Sequence, residues 1–328
     1  MLRRKTRLVP EVVQSSAMDC GPAALKAFLQ GHGIAVSYGR LREACQTDVD
    51  GTAIETLEEL ATYFGLPSEQ VLIPKDHVLL EESGSLPAIA VFRLPNGNTH
   101  FAVIWSVFHG LVQVMDPASG RRWLTRAELM AELFEHRMEV AAEDWRRWAA
   151  SEEATGSFRR RLAELGASSH EASSLVEDAV SDPSWRSLAN LDAAVRAAAA
   201  ADLGRDGLPL ARALYAKEND RPGTIPEGFF SARGGEGGAL EIKGAVLVRR
   251  GEEPMETPSF SRRVDAARDE TPDRPLRDLL RRIAEDGWTA PTLLLAASLT
   301  AAAAVVVEAL LYRALLELLP RFELAEQR

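Results

Sequence analysis

The chain has 328 residues, 46% of them hydrophobic, enough for two domains with real cores. Its net charge of −10, with no basic stripe to offset it, excludes nucleic acid as a natural partner. Two cysteines, Cys20 and Cys45, cannot build a disulfide framework, so the composition fits a reducing cytosol. The opening MLRRKTRLVP is basic but lacks the apolar core of a signal peptide, and it reads as a solvated arm.

The first organised stretch is QSSAMDCGPA, from Gln14 to Ala23. Cys20 is followed by Gly21, Pro22 and an apolar run spaced for a helix over 20–31, ended by Gly31 or Gly33. Pro22 suits a first helical turn, and Asp19 is placed to cap it. A thiol at that helix end meets the positive pole of the macrodipole, which favours the thiolate. Gly21 leaves room for another molecule's backbone to approach the sulfur. A second helix is expected over about 37–46, with Cys45 as a small core residue. GTAIETLEELATYFG predicts a third, with Thr52 as N-cap and Gly65 as its stop. Its core face is Ile54, Leu57, Leu60, Ala61 and Phe64.

After Pro67 the character changes. VLIP, PAIAVFRL, THFAVIWSVF, LVQVMD and RRWL read as strands, with turns at Asn96-Gly97 and His109-Gly110. A helix over 125–134 closes this part, so that helices precede a mostly antiparallel sheet in α+β order. Domains are expected at 1–135 and at 136–250, the latter a mainly helical accessory region with a small β element, LEIKGAVLVRR. The inventory of 1–135 is that of a part able to fold alone. Its neighbour GGEGG lacks the dinucleotide pattern GxGxxG. Residues 251–275 read as a linker. Residues 276–328 hold an amphipathic helix ending at Trp288 and then TLLLAASLTAAAAVVV, an uncharged run over 292–307. A bilayer needs ~20 apolar residues, so a spanning helix must run on to Leu319 past Glu308 and Arg313. The competing reading is a buried helix of a soluble protein.

A nucleophile needs a base, and a base needs an orienter. His100 opens an apolar strand, where a polar residue needs a reason, and Asp116 ends the returning strand nearby. Gln14 carries a neutral amide able to donate to a developing oxyanion. Each has a plain alternative: a buried structural thiol for Cys20, a satisfied core histidine for His100, a turn pair for Asp116-Pro117. His32 and His109 are expected to be solvated, His77 to lie in a loop, and His136 and His170 to lie outside the site. No HExxH or other metal spacing occurs, so no metal or cofactor is expected.

Gln14, DCGPA with Cys20, HFAV with His100, and Asp116 in DP together resemble the bacteriocin-processing peptidase domain of peptidase-containing ABC transporters, over roughly residues 8–135. That resemblance implies a papain-like cysteine peptidase cutting leader peptides after a double glycine. It implies Cys20 as nucleophile, His100 as base, Asp116 as its orienter and Gln14 as oxyanion donor. It implies a leader peptide as partner and a membrane met through the C-terminal segment. The transporter's remaining transmembrane and nucleotide-binding parts are absent from this sequence, which has no GxxxxGK[ST] loop. Arg277, Arg281 and Arg282 before the span would keep the peptidase on the cytoplasmic side. A homodimer stays open. So do two other functions: a peptidase-like module that only grips leader or cargo, and a different papain-fold hydrolase or acyltransferase.

Overall fold

The apolar run after Cys20 forms a helix, α1 (Cys20–Gly31), and its residues from Ala23 to Leu29 are all buried. It ends where Gly33 takes a φ of 81°, a conformation that side chains resist. The structure is a computed structural model and describes residues 5–45, 51–235, 238–251, 275–285, 287 and 289–326. Two further helices follow, α2 (Tyr38–Ala44) and α3 (Ile54–Tyr63). Neither expected cap acts as one. Asp19 makes no capping bond among the described residues, because Ser15 Oγ donates to its Oδ2 at 2.8 Å and Arg42 Nε lies 2.9 Å from its Oδ1. The N-cap position of α3 belongs to Ala53, and Thr52 packs against Gly21 instead.

The strands form where alternation predicts them: β1 (Ser68–Ile73), β2 (Ala88–Arg93), β3 (Thr99–Phe108), β4 (Leu111–Asp116) and β5 (Gly120–Thr125). The β3–β4 turn takes positive φ at both His109 (49°) and Gly110 (80°), as a two-residue hairpin turn requires. Helix α4 (Arg126–Glu132) starts on a capping box made by Thr125 and Glu128. Period-two alternation then divides the sheet into two dry faces. Ile89, Val103, Trp105 and Met115 meet α1, α2 and α3. Ala90, Ala102, Ile104 and Val114 face the other way, toward Val78 and Leu129. Gly31 is the contact that sets α1 on this sheet, since a Cβ there would lie 2.1 Å from Trp105 Cη2.

Residues past 135 bring both the expected helices and one correction. They begin with β6 (His136–Ala141) and continue through α5 (Ala142–Ala149), α6 (Glu152–Glu164), α7 (Ser169–Ser181), α8 (Trp185–Ala200) and α9 (Leu208–Asp220). A short β7 (Ala232–Gly234) and a long β8 (Ala239–Arg250) follow. The helices have a core of their own around Phe158, Leu162, Val176, Leu188 and Val195. However, β8 is no accessory strand. It lies inside the 8-stranded antiparallel sheet, in the order β1-β8-β2-β3-β4-β5, and its first half also pairs with β6 and β7. A boundary at residue 135 therefore cuts through one sheet, because β1 has its ladder partner only after the helices.

Buried charge fastens the helices to the first part of the chain. Arg196 donates to Asp76 Oδ1 and Oδ2 at 3.1 and 2.8 Å and to Asp192 Oδ2 at 2.6 Å, and Arg161 also pairs with Asp76. His77 sits beside them in a 3₁₀ turn, Lys75–His77, and is buried rather than in an open loop. Burial pushes its pKa down to about 4, against the pull of Asp76 and Asp192. His32, expected in solvent, is buried too, with Nδ1 2.8 Å from Phe28 O. Cys45 is a core residue whose thiol burial pushes well up.

A second unit spans 273–328, with helices Pro275–Glu285 and Thr289–Glu326. Residues Pro291–Glu317 are long and apolar enough to cross a membrane, with mean hydropathy 2.2 and none of the window buried. Arg313 is paired along the helix with Glu317 at 3.0 Å. The expected linker lies outside the described residues except at its ends, as does Trp288.

Two outcomes follow from β8 and the buried charges. A fragment of residues 1–135 will fail to give a cooperative thermal transition, whereas 1–251 will unfold in one. Arg196→Leu, which leaves Asp76 and Asp192 buried without their main partner, will cost ~3–5 kcal/mol in chemical denaturation.

Candidate active site

The segment before α1 is held on both sides. Gln14 N–H donates to Pro117 O at 2.9 Å, tying it to the residue after Asp116. Ser15 is fixed by its bond to Asp19 and by Tyr38 Oη, 3.3 Å from its N–H. The Gln14 side chain turns inward, and its Oε1 is buried without a partner among the described residues. Cys20 then opens the helix, half-buried.

Antiparallel register places the other residues. The last ladder pair of β3 and β4 is Val103 with Met115, so Asp116 comes level with Ala102 as β4 ends. His100 is two residues further along the same face, and its Nδ1 lies 3.8 Å from Asp116 Oδ1. Beyond the end of β4 that edge of β3 is open to α1, and the Phe101 backbone makes a hydrogen bond to the Cys20 sulfur. Cys20 is thereby set beside the residue next to His100. The predicted residues are linked through near neighbours: Cys20 to Phe101, His100 to Asp116, and Gln14 to Pro117.

Asp116 is tightly dressed. Its Oδ1 accepts from Ala118 N–H at 2.8 Å and its Oδ2 from Arg122 Nη1 at 3.2 Å. Arg122 also grips Glu132 through two bonds of 3.0 and 2.7 Å. Sequence reading missed Arg122, although the signal was there: it lies across a tight hairpin from Val114, diagonal to Asp116.

Gly21 has a different role from the one expected. A Cβ on it would lie 2.8 Å from both Cβ and Oγ1 of Thr52, so the space belongs to this chain's own loop. Protonation also departs from the dipole argument. Burial pushes the Cys20 thiol up, and backbone hydrogen bonds from Phe101, Gly21 and Cys20 itself offset this only in part. Burial pushes His100 down, although Asp116 and Glu132 pull it up, while Arg122 lowers it further. Both shifts favour the neutral forms of thiol and imidazole. Among the described residues no group of three His, Cys, Asp or Glu side chains could hold a metal ion.

Residues 9–142 match the Peptidase C39 family. An uncharacterized protein of Methanothermobacter marburgensis is 32% identical over 133 residues, which are 40% of this chain and 87% of that one. The chain belongs to the peptidase C39 family. The lactococcin-G-processing and transport ATP-binding protein LagD of Lactococcus lactis subsp. lactis is 30% identical over 125 residues. That match covers 37% of this C39 chain and only 17% of LagD. Among solved structures, a double glycine motif protease from an AMS/PCAT transporter, in complex with its leader peptide, aligns at 21% identity with a TM-score of 0.35. The alignment covers 40% of the C39 chain and 92% of the protease. Residues past 142, among them α6 to α9, β7 and β8, lie beyond the family match.

The electrostatics of this C39 site give a test. Iodoacetamide will alkylate Cys20 with a rate that rises toward a midpoint above the ordinary thiol value of 9.0, and Cys45 will stay unreactive in the folded state. Arg122→Gln removes a positive charge that lowers His100, so the His100 pKa, followed by NMR, will move up.

Proposed function

We propose that the chain is a cysteine endopeptidase that cuts leader peptides after a double glycine. The observation that carries this reading is the Cys20 sulfur on the Phe101 backbone, beside a His100 turned to Asp116. The chemistry assigned to this C39 site starts from the neutral pair. With Nδ1 turned to Asp116, Nε2 of His100 is left to take the Cys20 proton as sulfur attacks the scissile carbonyl. The 3.8 Å separation from Asp116 shortens as positive charge develops on the ring, and Asp116 fixes its tautomer. The Cys20 N–H at the start of α1 and the Gln14 side-chain amide hold the oxyanion. His100 returns its proton to the leaving amine as the C–N bond breaks. Water, deprotonated by His100, then releases the leader's acid and restores the thiol.

Similarity to LagD, a lactococcin-G-processing and transport protein, supports a leader peptide as substrate. A cut after two residues that lack Cβ calls for subsites too narrow for other side chains. The apolar helix supports work at a membrane, and Arg281 and Arg282 before it favour a cytoplasmic peptidase.

A synthetic leader ending in Gly-Gly, joined to a short cargo, tests the assignment. Cys20→Ala will abolish cleavage while leaving leader binding within about twofold of wild type. Gln14→Ala will lower kcat by ~10²–10³ with KM little changed. Cleavage that survives Cys20→Ala refutes the peptidase reading, and a Gln14→Ala effect confined to KM makes Gln14 a packing residue.

A further inference from the structure

The β3–β4 hairpin tip lies at the far end of β3 from His100, and it leaves large apolar side chains in solvent. Leu8 is 50% exposed, Val107 47%, Phe108 50%, Leu111 41% and Trp123 42%. They are neighbours: Phe108 pairs with Leu111 across the turn, and Leu8, Val107, Phe108 and Trp123 line one open cavity of about 770 Å³. Its charged lining, among the described residues, is Lys5 and Arg7 alone, in a chain of net charge −10. Arg7 lies over the Phe108 ring at 5.8 Å, so cation and aromatic surface are presented together. The next cavity, which shares Lys5, Ser106 and Val107 with the first, mixes Glu81, Glu82 and Glu164 with Arg126 and Arg160 and bounds the patch.

Isolated apolar side chains on a surface need no explanation, but a contiguous patch with a polar rim marks a contact. Aromatic rings with a partly wet Trp and a basic edge match the region between lipid headgroups and acyl chains. We propose that this hairpin tip docks on an anionic lipid bilayer, with Phe108 and Trp123 at headgroup depth and Lys5 and Arg7 against lipid phosphates. This rests on the membrane reading of Pro291–Glu317. A few side chains and two cations bind a bilayer only weakly, about fivefold per charge. A second anchor in the same chain turns that weak contact into an intramolecular one at high local concentration. The docked face lies at the opposite end of β3 from the cleavage site, so docking leaves His100 free to meet substrate.

Full-length chain in phosphatidylcholine vesicles, with and without phosphatidylglycerol, tests this by quenching Trp fluorescence with lipids brominated near the headgroup. Wild type should show a quenched component that Trp123→Phe lacks. Lys5→Gln with Arg7→Gln should weaken that component about fivefold per charge in phosphatidylglycerol vesicles only. Circular dichroism checks that each variant is folded. Equal quenching of wild type and Trp123→Phe overturns the proposal. A Trp123 shielded from both brominated lipid and aqueous acrylamide also overturns it, because a protein or a second copy then covers the patch. Carbonate extraction separates the two readings. A chain stripped from the vesicles refutes the span and the docking together, whereas one that is retained with Trp123 unquenched refutes the docking alone.

Discussion

Backbone pairing through β8 is the constraint on which the first unit depends. A strand inside a sheet must satisfy N–H and C=O groups on both edges, and β8 supplies them to β1, β2, β6 and β7. Close approach comes with that pairing, since a Cβ on Gly244 would lie 2.4 Å from Ile73 O. Ladder bonds are made by backbone, so they tolerate a long excursion before the strand returns. The helices from α5 to α9 occupy that excursion, and the chain comes back into the sheet with β7 at residue 232 and then β8 at residue 239.

The excursion is anchored by charge as well as by strand pairing. Arg161 and Arg196 reach from α6 and α8 to Asp76, and Arg249 on β8 joins Glu69 of β1 to Glu153 of α6. Buried ion pairs of this kind give little net stability over apolar packing, but losing one partner strands the other. They act as a register device. The helices are thereby held in one position on the sheet.

At the site, the same burial that orders the residues sets their protonation. An exposed thiol at a helix start would lean toward thiolate; here desolvation outweighs the helix end and its N–H groups. Burial and Arg122 push the His100 pKa down, although Asp116 and Glu132 oppose this. Arg122 and Glu132 thus act on His100 through Asp116 and through the field, without reaching the sulfur.

Much of this was legible in the sequence, because it depends on short-range physics. Apolar spacing located α1 and α3, alternation located β2 to β5, and His109-Gly110 located their turn. Gln14, Cys20, His100 and Asp116 stood out through their resemblance to a family's motifs in that order, since taken alone Cys20 and Asp116 also read as a buried thiol and a turn. What the sequence could not show is long-range. LEIKGAVLVRR reads as a strand in any setting, and only tertiary structure puts it between β1 and β2, because backbone ladders carry almost no side-chain code. The caps expected at Asp19 and Thr52 and the solvated His32 failed as expectations for one reason. Each was read from neighbours in sequence, while the deciding partner was a distant residue brought near by folding: Arg42 for Asp19, Gly21 for Thr52, Trp105 for His32.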